Sequence, residues 1–238
     1  MRAHGSYYTG LMRGLFSLLV PGLLLPGLLL PGLLLIVLQL TACAAAPAAP
    51  SPDVQSGRVI VAFGDSLTAG FGVPADQTYP ARLGERLKRE GYDYRVVNAG
   101  VSGDTTAGGV RRVDWALRLK PEIVILELGV NDALRGQKLA GVRANLDQMI
   151  TRFQAAGARV LVAGMRLPPN YGDRYAEDFH RLYAEVARAH QAALMPFFLD
   201  GVGAVARLNQ ADGIHPTAEG YAIVVDRLWP YLVPLLQR

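Results

Sequence analysis

Several kinds of chemistry are excluded by what this 238-residue chain lacks. It holds one cysteine, Cys43, so no intrachain disulfide can form and no cysteine-built zinc site is possible. Of its four histidines, three lie beyond the first fifty residues, at His180, His190 and His215, and they form no pair at metal-ligand spacing. Neither a metal nor an organic cofactor is therefore expected. The glycines that follow the first short apolar run, in "GDSLTAGFG", lack the G-x-G-x-x-G spacing of a dinucleotide site and the lysine of a P-loop. Charge is absent altogether from Gly14 through Pro52. Arg2 and Arg13 account for two of the 24 basic residues, and the rest nearly balance the 20 acidic ones, which gives no reason to invoke nucleic acid. With 51% hydrophobic and 18% charged residues the chain is not intrinsically disordered, and its length suits one sizeable domain.

The uncharged stretch has its own meaning. Arg2 and Arg13 precede the apolar run Leu15 to Leu40, in which PGLLL occurs three times in succession at residues 21–35. A positive start followed by an apolar run reads as an export signal, although this one exceeds the usual apolar length of about 7 to 15 residues. The repeated Pro-Gly pairs would kink a spanning helix, so the repeat is taken as low-complexity lengthening. Leu40-Thr41-Ala42-Cys43 resembles the lipobox of bacterial lipoproteins, in which the cysteine is lipidated and becomes the mature N-terminus. The expectation is a signal peptide over residues 1–42, then lipidated Cys43 with an extended Ala/Pro/Ser tether to residue 57. Two alternatives stay open: ordinary cleavage after a small residue in Ala42 to Ala46, or an uncleaved anchor of about 24 residues. The protein is then expected on the periplasmic face of a bacterial membrane, or in the periplasm if unlipidated.

Beyond the tether, residues 58–238 alternate strand and helix signals. Short apolar runs fall at Val59–Phe63, Tyr94–Asn98, Ile123–Leu128, Val160–Gly164 and Ala193–Phe198. Between them apolar residues recur three and four apart, as in Phe179, Leu182, Tyr183 and Val186, and a final helix is expected from Ala218 to about Leu236. Continuous runs alternating with helices predict an α/β fold, a three-layer α/β/α sandwich around a five-stranded parallel sheet buried on both faces.

That fold locates a site. In open parallel sheets ligands bind outside the carboxyl ends of the strands. The loops placed there are Gly64-Asp65-Ser66, "NAGVSGDT", "GVNDA" and, after the last run, "DGIHP". His180 and His190 fall in a helical stretch, Tyr175 to Gln191, and are assigned to its surface. His215 differs, because Pro216 pushes it toward extended backbone and Gly213 permits a tight turn before it. Asp212, three residues earlier, is near enough for its carboxylate to fix the imidazole tautomer, leaving the other ring nitrogen for Ser66. Alone, this loop reads equally well as a plain turn and helix start. Candidate donors for a developing oxyanion are the backbone N–H groups of Ser66 and Gly103 and the side-chain amide of Asn131.

These residues resemble the four blocks of the SGNH, or GDSL, hydrolase family. "FGDSLTAG" matches the nucleophile block, "NAGVSGDT" the glycine block, "LGVNDA" the asparagine block and "DGIHP" the block of acid and base. The resemblance runs from about Val59 to the C-terminus and implies the flavodoxin-like fold of that family. By position it implies Ser66 as nucleophile, Asp212 and His215 as its partners, and Ser66, Gly103 and Asn131 as the oxyanion hole. "MRLPPNYGDRY" and "MPFFLDGV" are further similar to the bacterial thioesterase, protease and lysophospholipase enzymes and related arylesterases within the family. A substrate loop shaped by Pro168, Pro169 and Gly172 is implied, as are lysophospholipids, acyl thioesters or aryl and alkyl esters as substrates. The implied working form is a monomer with no cofactor. Two alternatives remain: a deacetylase of O-acetylated sugars with the same chemistry, and a non-catalytic binding protein.

Overall fold

The computed structural model describes residues 57–238; the expected signal, lipobox and tether up to residue 56 lie outside the described residues. Five parallel strands form one sheet in the order β2-β1-β3-β4-β5: β1 (Arg58–Gly64), β2 (Tyr94–Gly100), β3 (Ile123–Glu127), β4 (Arg159–Ala163) and β5 (Ala193–Met195). The helices are α1 (Ser66–Ala69), α2 (Tyr79–Arg89), α3 (Thr106–Leu117), α4 (Val130–Leu134), α5 (Leu139–Ala155), α6 (Asp173–Ala189) and α7 (Ala218–Leu232). α2 packs against α7, while α3, α5 and α6 pack in sequence, so helices cover both sheet faces. This is the expected three-layer sandwich.

The central strands show why. β3 is buried at every position, and β1 at all but its first, because Val, Ile, Leu and Phe stand on both faces of each. Phe63 on β1 meets Phe153 of α5 edge-on at 5.4 Å between ring centroids. On the other face Tyr79 of α2 meets Phe198 at 5.1 Å. α7 buries Tyr221, Val224, Val225, Leu228 and Leu232, and Trp229 of the same helix is half-buried beside Tyr92.

Element ends differ from the expected ones for local reasons. β5 stops at Met195 rather than Phe198, because Pro196 has no N–H to continue a ladder. α7 ends at Leu232, and Pro234 leads the chain into a single 3-10 turn, Val233–Leu235. His180 and His190 correct the surface assignment: both are half-buried, His180 Nδ1 lying 3.4 Å from the Met165 carbonyl and His190 Nε2 3.0 Å from Asp147 Oδ1.

The strand order sets the position of the site. From β1 the chain crosses to β2 on one side and then to β3 on the other, so the crossovers part between β1 and β3. A crevice forms at such a reversal beyond the carboxyl ends of the strands.

Candidate active site

β1 runs straight into α1, and the junction is tight. A Cβ on Gly64 would lie 2.0 Å from Thr68 Oγ1 and 2.6 Å from the Glu127 carbonyl oxygen, so only glycine lets β1 pass so close to α1 and β3. Asp65 then caps α1 by accepting the Leu67 N–H at 3.0 Å. This turn projects Ser66, the first residue of α1, half-buried at the crevice.

The other half of the site is a loop of the chain before α7. Asp212 Oδ1 accepts the backbone N–H groups of Ile214 at 2.9 Å and His215 at 3.0 Å, folding the loop back on itself. Its second oxygen lies 2.7 Å from His215 Nδ1. His215 Nε2 in turn lies 2.8 Å from Ser66 Oγ. The backbone and ring N–H groups of His215, joined by that of Ile214, hold the Asp212 carboxyl down to a pKa of about 2. An ionised Asp212 fixes the proton on Nδ1 and leaves Nε2 as the acceptor for the serine proton.

Two contacts tie this loop to the β1 side. The Gln210 amide donates to the carbonyls of Phe71 at 2.7 Å and Pro216 at 3.0 Å. The Phe71 ring lies against the imidazole, centroids 4.8 Å apart. Across the crevice, Gly103 follows β2 with φ of +76°, a left-handed conformation suited to glycine, and lines the pocket without a side chain. Asn131 lies in α4, just beyond β3. Asp132 joins the glycine and asparagine segments by accepting both the Thr106 N–H at 2.8 Å and its hydroxyl at 2.7 Å.

Ser66, Gly103, Asn131 and His215 thus line one open cleft, whose wall is apolar: Leu67, Phe71, Val130, Leu134, Met165, Leu199 and Ile214. Its volume is about 260 Å³. Of the expected substrate-loop residues, Pro169 opens a 3-10 turn (Pro169–Tyr171) and Gly172 precedes α6. Neither Pro168 nor Gly172 is among the lining residues; Met165, at the start of the same segment, is. Among the described residues no three His, Cys, Asp or Glu side chains are grouped to hold a metal ion.

The model of the family described as GDSL-like Lipase/Acylhydrolase matches residues 62–223, which takes in all four loops of the cleft. The chain belongs to that family. It is similar to "Esterase TesA" of Pseudomonas aeruginosa, 48% identical over 180 residues, which cover 75% of this chain and 90% of the relative. It is also similar to "Thioesterase 1/protease 1/lysophospholipase L1" of Escherichia coli, 36% identical over 178 residues, 74% of this chain and 84% of the relative. The crystal structure of TesA superposes with a TM-score of 0.73 over 75% of this chain and all of that one. A structure of the esterase EstA from Pseudoalteromonas, inhibited by monoethylphosphonate, is 30% identical with a TM-score of 0.71 and covers 74% of this chain and 97% of that one. Membership makes the chain a serine hydrolase of the esterase and thioesterase class.

Two polar residues of this region carry no role in the four-block reading. Asp65 and Glu127 are both fully buried, directly beneath Ser66 and Asn131. The signal for Glu127 was present in the sequence: an acid inside the run "IVILELG", where a strand covered on both faces leaves no water for it.

Proposed function

We propose that the protein hydrolyses carboxylic esters and thioesters of apolar acyl groups, with Ser66 as nucleophile, His215 as general base and acid, and Asp212 as the group that orients and charges the imidazole. One observation carries this reading: the unbroken chain of contacts from Asp212 through His215 to Ser66, at 2.7 and 2.8 Å, opening on an apolar cleft. Ser66 Oγ attacks the acyl carbon while its proton passes to His215 Nε2. The carbonyl oxygen becomes an oxyanion facing the N–H groups of Ser66, Gly103 and Asn131, each such donor being worth about 10²- to 10³-fold in rate. Collapse of this intermediate breaks the bond to the leaving oxygen or sulfur, which takes the proton from His215. Water, deprotonated by the same nitrogen, then attacks the acyl-enzyme and releases the acid and Ser66.

The lining favours an acyl chain over a sugar. Seven apolar side chains surround the reacting groups, and among the described lining residues the single aromatic ring, Phe71, lies against His215, so no cluster of rings is set out for a pyranose. Lysophospholipids, fatty acyl thioesters and aryl esters suit such a cleft. For the N-terminal region we propose export and anchoring through a lipid on Cys43, followed by a tether to the hydrolase domain of residues 58–238. Labelled palmitate incorporated by the wild-type chain and lost in Cys43→Ser tests this; equal labelling of both overturns it. Among the described residues no helix is long and apolar enough to cross a membrane.

The functional test is hydrolysis of p-nitrophenyl esters from acetate to palmitate by the domain and its Ser66→Ala variant. Turnover that rises beyond acetate and vanishes in the variant supports the reading. Acetate-only turnover points instead to a deacetylase, and retained turnover in Ser66→Ala overturns the assignment of the nucleophile.

A further inference from the structure

Beneath the proposed oxyanion hole lies a buried pair of acids that the two-step mechanism does not use. Glu127 ends β3 and stands beside Gly64 of β1 in the sheet register. Its Oε2 accepts the Thr68 hydroxyl at 2.9 Å and the Asp65 N–H at 3.4 Å, whereas its Oε1 has no partner. Asp65 accepts the Leu67 N–H on Oδ1 at 3.0 Å and the Asn131 side-chain amide on Oδ2 at 2.9 Å. Both acids are fully buried and adjacent, the Asp65 backbone N–H donating to the Glu127 side chain.

Two neighbouring carboxyls out of water repel each other's charge, so the pair keeps one proton. The surroundings decide where it resides. Asp65 has two N–H donors on its oxygens, which favours the charged form there, while a charge on Glu127 would leave Oε1 buried and unpaired. An amide NH₂ has two hydrogens, and with one bound to Asp65 the other is fixed in direction. Asn131 lines the cleft, so that direction is set at the wall where the oxyanion forms.

We propose that Glu127 is a positioning residue: it holds the proton of the pair and donates it to Asp65, whose carboxylate aims the Asn131 amide at the oxyanion. This rests on the reading of Asn131 as an oxyanion donor. Burial pushes both acids up, Asp65 to about 6 and Glu127 well above its ordinary value. The groups facing the pair are Tyr79 of α2, Tyr183 of α6, Tyr221 of α7, Arg112 of α3 and His215. Burial raises all three tyrosines, so they stay neutral, and Arg112 is held by Asp104 and by the Ala99 and Gly64 carbonyls. Below about pH 6 Asp65 takes up a proton, the charged acceptor is lost and the amide is held less firmly.

The test compares Glu127→Gln, Glu127→Leu, Asp65→Asn, Asn131→Ala and the Asp65→Asn/Asn131→Ala double variant in steady-state hydrolysis of p-nitrophenyl butyrate against pH. Folded fraction is followed by circular dichroism. Glutamine, neutral and able to donate, should rescue kcat to within about threefold of wild type. Leucine should lower kcat by about 10- to 100-fold with little change in KM, and move the acid limb of kcat to higher pH, because Asp65 without its donor holds its proton longer. Asp65→Asn and Asn131→Ala should each lower kcat, and the double variant should lose little more than the worse single one. The inference is overturned if Glu127→Leu keeps wild-type kcat and acid limb, if Glu127→Gln is as impaired as Glu127→Leu, or if the losses in the double variant simply add. Should Glu127→Leu not fold, the glutamine variant and the double-variant cycle decide it. Wild-type activity in Asn131→Ala would instead overturn the oxyanion-hole reading on which this rests.

Discussion

Asp65 and Asp212 are chemically identical side chains on either side of the same histidine-serine pair, and their surroundings drive them in opposite directions. Asp212 stands in an exposed loop, its side chain 38% accessible, and three N–H groups hold its pKa down to about 2. Asp65 is fully buried against a second acid, and desolvation lifts it to about 6 despite its own donors. The comparison teaches that local hydrogen bonds keep one carboxylate charged in an exposed loop, whereas burial beside a second acid favours the protonated form of the other in the core. The first is insensitive to mild acid; the second is not.

The comparison can be broken at several strengths. Ser66→Ala, which removes the atom both halves serve, should lower kcat by roughly 10⁴-fold or more with Tm nearly unchanged, as read by ester hydrolysis and thermal denaturation. Asp212→Asn should cost about 10⁴-fold in kcat, since an amide can present its own N–H to His215 Nδ1 and stabilise the wrong tautomer. Asn131→Ala, on the buried side, should cost about 10²- to 10³-fold. Gly64→Ala acts through packing: its Cβ would overlap Thr68 Oγ1, and a loss of about 1–3 kcal/mol in urea unfolding is expected.

The smallest effect concerns stability against pH. Asp212 has a folded pKa below its ordinary 3.8, so its contribution is present above that value and is lost as pH falls toward 2. Asp65 has a folded pKa above 3.8, so folding binds its proton and its contribution declines as pH rises from there through about 6. Asp65→Asn should flatten that decline, and Asp212→Asn should leave it in place, as followed by unfolding midpoints across the acid range. The opposite assignment of slopes would contradict the comparison.

What could be read in the sequence follows the same division. The alternation of apolar runs and helical spacing placed all five strands; β1, β3 and β4 are buried on both faces and composed accordingly, while the edge strands β2 and β5 are only partly buried. Asp212 and His215 were legible as one loop through Pro216, Gly213 and their three-residue spacing, Ser66 by following the first apolar run, and all three together only through the resemblance to the four blocks; the structure brings them to hydrogen-bond distance. Glu127 was read as part of an apolar run, and Asp65 as part of a motif, because their pairing depends on the register between β1 and β3, which no local pattern specifies. The same limit separated Pro168 and Gly172 from the cleft: a loop's composition gives its shape, and only packing decides that Met165 faces the serine side. The half-buried positions of His180 and His190 likewise come from contacts with Met165 and Asp147, neither of them on α6.

The most direct test of the central claim is covalent trapping of the nucleophile. A p-nitrophenyl alkylphosphonate, incubated with the protein and followed by intact mass and peptide mapping, should give one adduct on Ser66 with activity falling in parallel, and none on Ser66→Ala. Full inactivation without an adduct on Ser66, or an adduct there with activity intact, would contradict the assignment of Ser66 as the attacking group.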